Sequence, residues 1–273
     1  MPTAASYFTR IEGGGYLPTR FAQSHWGDDH LNGPAVVGLA ATELERYCGS
    51  DEFMPARITV DLFRAARGVP TTVDVRMVRD GRRVRSAECD ILQEGRPVAR
   101  AVLVQYRRSA PPPGEEWVAP VPVPERPELD GEMLPFIGSD DAGWERSPGA
   151  HQNASRKRFY FTSPEVVSGE RVSPFVHAVV IAESTSLVTN LGTRGIGYIN
   201  GDLTVGLSRL PVDEWILVQG DSHWTADGIS VGTSTLFDSR GPFGTGMVTA
   251  VANPAAQIDF AARPFPASET NYE

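Results

Sequence analysis

The chain has 273 residues, 41% of them hydrophobic and 22% charged, which is enough for two modest domains and enough apolar mass to fill a core. A net charge of −9 argues against a general nucleic-acid or anionic-membrane binder, because attraction to phosphate needs positive charge. Two cysteines, Cys48 and Cys89, exclude a disulfide framework and read as free thiols of a reducing compartment.

In chain order, residues 1–25 lack the apolar stretch of a signal peptide, and no later run approaches the ~20 residues of a membrane span. A soluble, cytoplasmic protein is expected. A first strand is expected at about 6–12. Gly13-Gly14-Gly15 lacks the lysine and the helix pattern of a phosphate loop. His25-Trp26-Gly27-Asp28-Asp29-His30 crowds its ligand-type side chains too closely for one rigid element to orient, so it reads as a polar loop and no metal is expected. A helix follows: Asn32 is a fitting N-cap, Pro34 sits where a missing N–H costs nothing, and Gly49 closes the run. Strands are expected at about 56–65, 70–79, 82–93 and 96–107, with Asp80-Gly81 as a hairpin turn.

Eight prolines between 109 and 136 rule out a helix or central strand there, so this segment reads as an extended connector. It divides the chain into a first unit at 1–108 and a second at 137–273. The second unit copies the first. After a strand at about 157–162, Ser173 caps a helix that Pro174 opens, which is expected to run to about Leu191 before Gly192. Strands are expected at about 196–207, 213–224, 229–238 and 242–252. Asp61 and Asp202 lie 141 residues apart, as do Pro70 and Pro211, and the turn landmarks follow in the same order. Such a period means one fold used twice. A lone long helix beside an antiparallel meander buries its apolar stripe only by lying across the sheet. That describes a hot-dog fold, so the chain is expected to be an α+β double hot dog, with a pocket at the seam between the repeats.

The sequence around these elements resembles the type II acyl-CoA thioesterase family. The likeness lies in His30-Leu31-Asn32-Gly33-Pro34-Ala35-Val36-Val37-Gly38, in Arg79-Asp80-Gly81-Arg82-Arg83-Val84 and in Gln93-Glu94-Gly95-Arg96-Pro97-Val98. The second half adds Gly195-Ile196-Gly197-Tyr198-Ile199-Asn200-Gly201-Asp202, Asp213-Glu214-Trp215 and Ala226-Asp227-Gly228. The resemblance implies hydrolysis of a fatty acyl-CoA to free acid and CoA, with an Asp-activated water attacking the thioester carbonyl and no cofactor. It also implies an Asp, a Ser or Thr and a Gln in the second half. The Asp falls on Asp202 and the hydroxyl on Ser222, with His223 in the aligned slot. The Gln falls near Phe237-Asp238, where no glutamine stands.

Read as chemistry, Asp202 is the candidate base, although Asp61 repeats it and a repeated Asp also suits a structural bond. Ser222 and His223 alternate on one strand, so only one of them can face the seam. Asp238 is the candidate replacement for the glutamine as a water ligand. Gly33 suits an oxyanion site, since a helix opens there and no side chain blocks approach. Ser173-Pro174 lacks the matching N–H. For the CoA phosphates the candidates are Arg82, Arg83 and Arg85, and the denser Arg156-Lys157-Arg158. Two alternatives stand beside hydrolysis. One is a non-catalytic acyl-CoA-binding protein. The other is a hot-dog enoyl-CoA hydratase or dehydratase, against which the adjacency of Asp29 and His30 tells. No nucleic-acid or membrane partner is expected, and exposed sheet edges are where copies of the chain would pair.

Overall fold

The computed structural model describes residues 5–27 and 29–262. The expected first helix forms as α1 (Gly33–Cys48). Asn32 Oδ1 accepts the Ala35 N–H at 2.9 Å, and at the far end the Gly49 N–H reaches Glu45 O at 2.7 Å. Its buried face carries Val37, Leu39, Ala40 and Leu44. The second helix differs from expectation. It is broken into α2 (Pro174–Ala182) and α3 (Thr185–Asn190). Hydroxyls cause the break. In Glu183-Ser184-Thr185-Ser186, Ser184 Oγ bonds Ile181 O at 2.7 Å and Thr185 Oγ1 bonds Ala182 O at 2.6 Å. The Ser184 and Ser186 N–H groups tighten to carbonyls three residues back, those of Ile181 and Glu183.

Strands complete both halves. The first has β1 (Ser6–Arg10), β2 (Tyr16–Pro18), β3 (Phe53–Leu62), β4 (Thr71–Asp80), β5 (Val84–Gln93) and β6 (Arg96–Arg107). The second has β7 (Phe136–Ser139), β8 (Gly143–Glu145), β9 (Lys157–Phe161), β10 (Glu165–Val167), a small hairpin of β11 (Leu191–Gly192) and β12 (Gly195–Ile196), β13 (Tyr198–Asn200), β14 (Asp202–Leu207), β15 (Ile216–Ala226), β16 (Ile229–Asp238) and β17 (Gly241–Ala252). Between Arg107 and Phe136 the proline-rich segment forms no helix or strand, and Arg126 ties it to Asp213 in the second half at 3.4 Å.

One sheet runs through both halves in the order β10-β1-β2-β4-β5-β6-β3-β14-β17-β16-β15-β9-β7-β8, with β13 on β17. The halves join where β3 pairs antiparallel with β14, and Asp61 faces Asp202 directly. Residues that repeat 141 apart and also pair must lie on the local twofold, so the pseudo-symmetry axis passes between these two carboxylates. On one face, Leu203, Val205, Ile58 and Val60 are buried beneath the helices. On the other, Asp61 is exposed and Asp202 half-buried. The fold is thus an α+β double hot dog, each half laying its helix across an antiparallel meander.

In the second half the helix sits unusually close to its sheet. A Cβ on Gly232 would stand 2.4 Å from Thr189 Oγ1, and one on Gly246 would stand 2.1 Å from Thr185 Oγ1. The contact is polar: Thr185 Oγ1 bonds Ser234 Oγ at 2.7 Å and Ser230 Oγ bonds Asn190 Oδ1 at 3.0 Å. Gly232→Ala or Gly246→Ala should therefore each cost about 1–3 kcal/mol by overpacking. Urea-unfolding midpoints unchanged from the parent would refute that close fit.

Candidate active site

A buried carboxylate stands at the helix break. Glu183 follows Phe175–Ala182, a buried run, and is itself only 7% exposed. Its carboxyl reaches across the seam to the start of α1, where an ideal Cβ on Gly33 would stand 2.0 Å from Glu183 Oε1. Only glycine leaves room for that approach. At the α1 start Pro34 has no N–H and that of Ala35 is taken by Asn32, so the Gly33 N–H is the one these two leave over in the first turn. Asn200 Nδ2 and Ser186 Oγ each donate to Glu183 Oε1 at 3.4 Å. Burial pushes the Glu183 carboxyl up to about 7, against the smaller opposing pull of the Asn200 and Ser186 hydrogen bonds. Tyr7, 4% exposed, completes the surround. Burial, and then the negative charge of Glu183, raise its hydroxyl above the usual tyrosine range, so it remains a proton donor.

A bulge aims Asn200 at this site. Asn200 pairs with Ala250 and Thr204 with Met247, so β13–β14 carries one residue more than β17 over the same span. The extra residue falls at Gly201–Asp202, where the strand expected at 196–207 is interrupted. Asp202 stabilises the bulge, its carboxylate accepting the Thr249 N–H at 2.8 Å and the Thr249 hydroxyl. The side chains before the bulge can then face the helices while Asp202 faces outward.

The sequence candidates fall in several places. Gly33 lies in the site. Asp202 is on the opposite face of the sheet from Glu183, engaged with Thr249. Ser222 shares a 2.7 Å hydrogen bond with Thr233 on β15–β16, separated from Asp202 by two intervening strands. His223 pairs with Gly232 and so faces α3. Its ring lies 6.0 Å from that of Tyr198, and burial lowers its pKa. Asp238 is fully buried against Arg209, with Nη2 to Oδ1 at 2.7 Å, and also accepts the Val212 and Arg240 N–H groups at 2.9 Å. Burial alone would raise that carboxyl, but these donors outweigh it and hold it below the usual range. Asp61 is exposed. Arg85 pairs with Asp80 and Arg158 with Asp140. No cluster of metal-type ligands occurs among the described residues, and Asp28 of the His25–His30 loop lies outside them.

The structure thus gathers Gly33, Glu183, Ser186, Asn200 and Tyr7, and disperses Asp202, Ser222, His223 and Asp238. The other seam is not equivalent. Thr42, 141 residues before Glu183, bonds Gly38 O at 2.8 Å, and Glu45 accepts a hydrogen bond from Ser173 at the α2 start. Glu183 had a signal in the sequence, a single carboxylate closing a run of eight apolar or half-apolar helix residues, the informative case of a charged group placed where burial is expected.

Known proteins place the chain further. Residues 22–106 match the family model for the acyl-CoA thioesterase N-terminal domain, and residues 109–251 match the model for its C-terminal domain. Among solved structures, an acyl-CoA thioesterase II of Mycobacterium marinum aligns at a TM-score of 0.63 and 18% identity, covering 90% of this chain and 94% of its own. The tesB protein of Mycobacterium avium subspecies paratuberculosis aligns at 0.62 and 16%, covering 90% and 96%. A hot-dog protein of unknown function from Alicyclobacillus acidocaldarius aligns at 0.63 and 13%, covering 90% and 95%. At such identities these likenesses speak for the fold. No curated protein matches the chain. No helix among the described residues is long and apolar enough to cross a membrane. With family models matched across both halves, the chain belongs to the acyl-CoA thioesterase family, a hydrolytic, acyl-CoA-handling group built on the double hot dog.

Proposed function

We propose that this chain hydrolyses a fatty acyl-CoA to free acid and CoA, with Glu183 as the general base. The observation that carries the reading is a buried carboxylate held against the start of a helix, where burial pushes its pKa up to about 7. A base poised near the working pH both accepts a proton and can return it. The family resemblance implies a carboxylate, a hydroxyl and an amide. Here Glu183, Ser186 and Asn200 supply those three groups, in place of Asp202, Ser222 and the vacant glutamine position.

In this reading a water bound by the Glu183 carboxylate attacks the thioester carbonyl carbon as its proton passes to Glu183. The carbonyl oxygen gains the negative charge and is stabilised by the Gly33 N–H and the helix-start dipole. The tetrahedral intermediate then collapses, the C–S bond breaks, and the proton held by Glu183 goes to the departing CoA sulfur. Tyr7 stays protonated beside the carboxylate and is available as a further donor.

Thiol release from a panel of short- to long-chain acyl-CoAs tests the proposal. Turnover that vanishes in Glu183→Gln is expected, and tight acyl-CoA binding without turnover in the parent would favour a binding protein instead. Asp202→Asn separates the two candidate bases. It should keep turnover within a few-fold while weakening the fold by about 1–2 kcal/mol through its bonds to Thr249. Complete loss of turnover in a folded Asp202→Asn variant would return the base to Asp202.

A further inference from the structure

A cleft of about 510 Å³ opens beside the C-terminal end of α3, within the size range of small-molecule sites. Its charge runs against that of the molecule. Arg156 and Arg194 line it, both exposed, and neither has a carboxylate oxygen within 4.0 Å among the described residues. The neighbouring Arg158 is by contrast engaged by Asp140. Behind the wall lies Lys157, 2% exposed, its ammonium bonded to Asn153 O at 3.0 Å, to Asn153 Oδ1 at 2.9 Å and to Ser155 O, with no carboxylate. Asp221 is the single acid of the lining, and one of its oxygens accepts the Thr235 hydroxyl at 2.7 Å. Arg156 and Arg194 at the cleft therefore face Asp221 in the lining and Asp259 beside Arg194, while the buried Lys157 behind the wall is influenced by Asp140 and Asp141, in a chain whose net charge is −9. Exposed guanidinium groups whose donors no carboxylate has taken up in a salt bridge are, in a concave site, suited to phosphate.

The cleft also offers a flat face, and its lining includes residues of β13 and α3, the elements that adjoin Asn200 and Glu183. The Tyr198 and His223 rings stand edge to face in its wall, a surface on which a base can stack. Tyr198 lies two residues before Asn200 on the same face of β13, about 7 Å away along the strand. Thr189, also in the lining, lies six residues beyond Glu183 along the helical segment, a rise of about 9 Å.

We propose that this cleft binds the phosphorylated nucleotide end of CoA, with Arg156 and Arg194 on the phosphates, Tyr198 against the adenine, and the pantetheine arm running along β13 to Glu183. The assignment rests on the thioesterase reading of Glu183. It favours CoA over a carrier protein, because a nucleotide fits a cleft of this size and a folded domain does not.

Two measurements on the full chain test it. The first is calorimetric titration with adenosine 3′,5′-bisphosphate. The second is the ratio of KM for an acyl-CoA to KM for the matching acyl-pantetheine, which lacks the nucleotide. Arg156→Ala combined with Arg194→Ala should weaken bisphosphate binding at least tenfold and raise the KM ratio at least tenfold. Tyr198→Ala should weaken bisphosphate binding more than binding of inorganic pyrophosphate. Bisphosphate affinity and a KM ratio unmoved by the double substitution would overturn the cleft while leaving Glu183 hydrolysis standing, and so would a preference for acyl-carrier protein over acyl-CoA that disappears in the double variant. Arginine-dependent bisphosphate binding in a parent that hydrolyses no acyl-CoA would uphold the nucleotide site and count against the hydrolytic reading alone.

Discussion

Glu183→Gln should be nearly inactive and yet more stable than the parent at neutral pH. Loss of a general base costs about 10²–10⁴-fold in turnover. The stability gain follows from proton linkage. Burial raises the folded-state pKa of Glu183 from the ordinary 4.5 to about 7. Below pH 4.5 both states are protonated and there is no penalty. Between about 4.5 and 7 the unfolded chain releases the proton while the folded chain keeps it, so stability falls as pH rises. Above about 7 the full penalty stands, on the order of 3 kcal/mol. A glutamine carries no such penalty, so the melting temperature of the variant should exceed that of the parent at pH 8 and converge on it near pH 4.5. A variant less stable than the parent at pH 8 would show that the ionised carboxylate is well compensated by partners, contrary to its burial.

Gly33→Ala should disable the same site from the other side. The added methyl would need the space of Glu183 Oε1, 2.0 Å away, so the carboxylate must move. Displacing a reacting group by about 1 Å costs on the order of 10²-fold in rate, and overpacking costs about 1–3 kcal/mol in stability. The two residues are in contact, so their effects should not add. In a Glu183→Ala background Gly33→Ala should be nearly neutral, giving a coupling of about 0.5–3 kcal/mol in a double-mutant cycle. Strict additivity would mean that the α1 start and the helix break do not touch. Position 33 otherwise tolerates alanine well, since a helix start has no need of glycine's freedom.

The fold was legible because its signals are local and repeated. Asn32-Gly33-Pro34 and Ser173-Pro174 start helices by capping chemistry, Asp80-Gly81 and Asp227-Gly228 turn hairpins, and the 141-residue offset doubles the pattern. The helix break at Glu183 was not legible, because four good-enough helix residues in a row give no stop signal. Only the back-bonding of Ser184 and Thr185 to the preceding carbonyls tightens the turn.

Of the proposed site, one residue was legible. Gly33 follows from the start of the first helix. Asp202 was the candidate base because the family's Asp falls on it; its repetition in Asp61, which already suited a structural bond, reflects the symmetry axis on which both lie, and the outward turn of Asp202 depends on a bulge that period-2 reading does not foresee. The same bulge aims Asn200, two residues earlier, toward Glu183. Serines and aspartates such as Ser222 and Asp238 carry the right chemistry by type, but their partners Thr233 and Arg209 are distant in sequence, and only the folded chain reveals that they are occupied.

The pH dependence of kcat/KM for acyl-CoA hydrolysis, followed by thiol release from pH 5 to 9, tests Glu183 as the base most directly. The free enzyme must carry Glu183 deprotonated, so kcat/KM should rise with pH through a midpoint near 7. A profile flat from pH 5 upward, or one whose midpoint lies near the ordinary carboxylate range, would contradict it and place the base on a different residue.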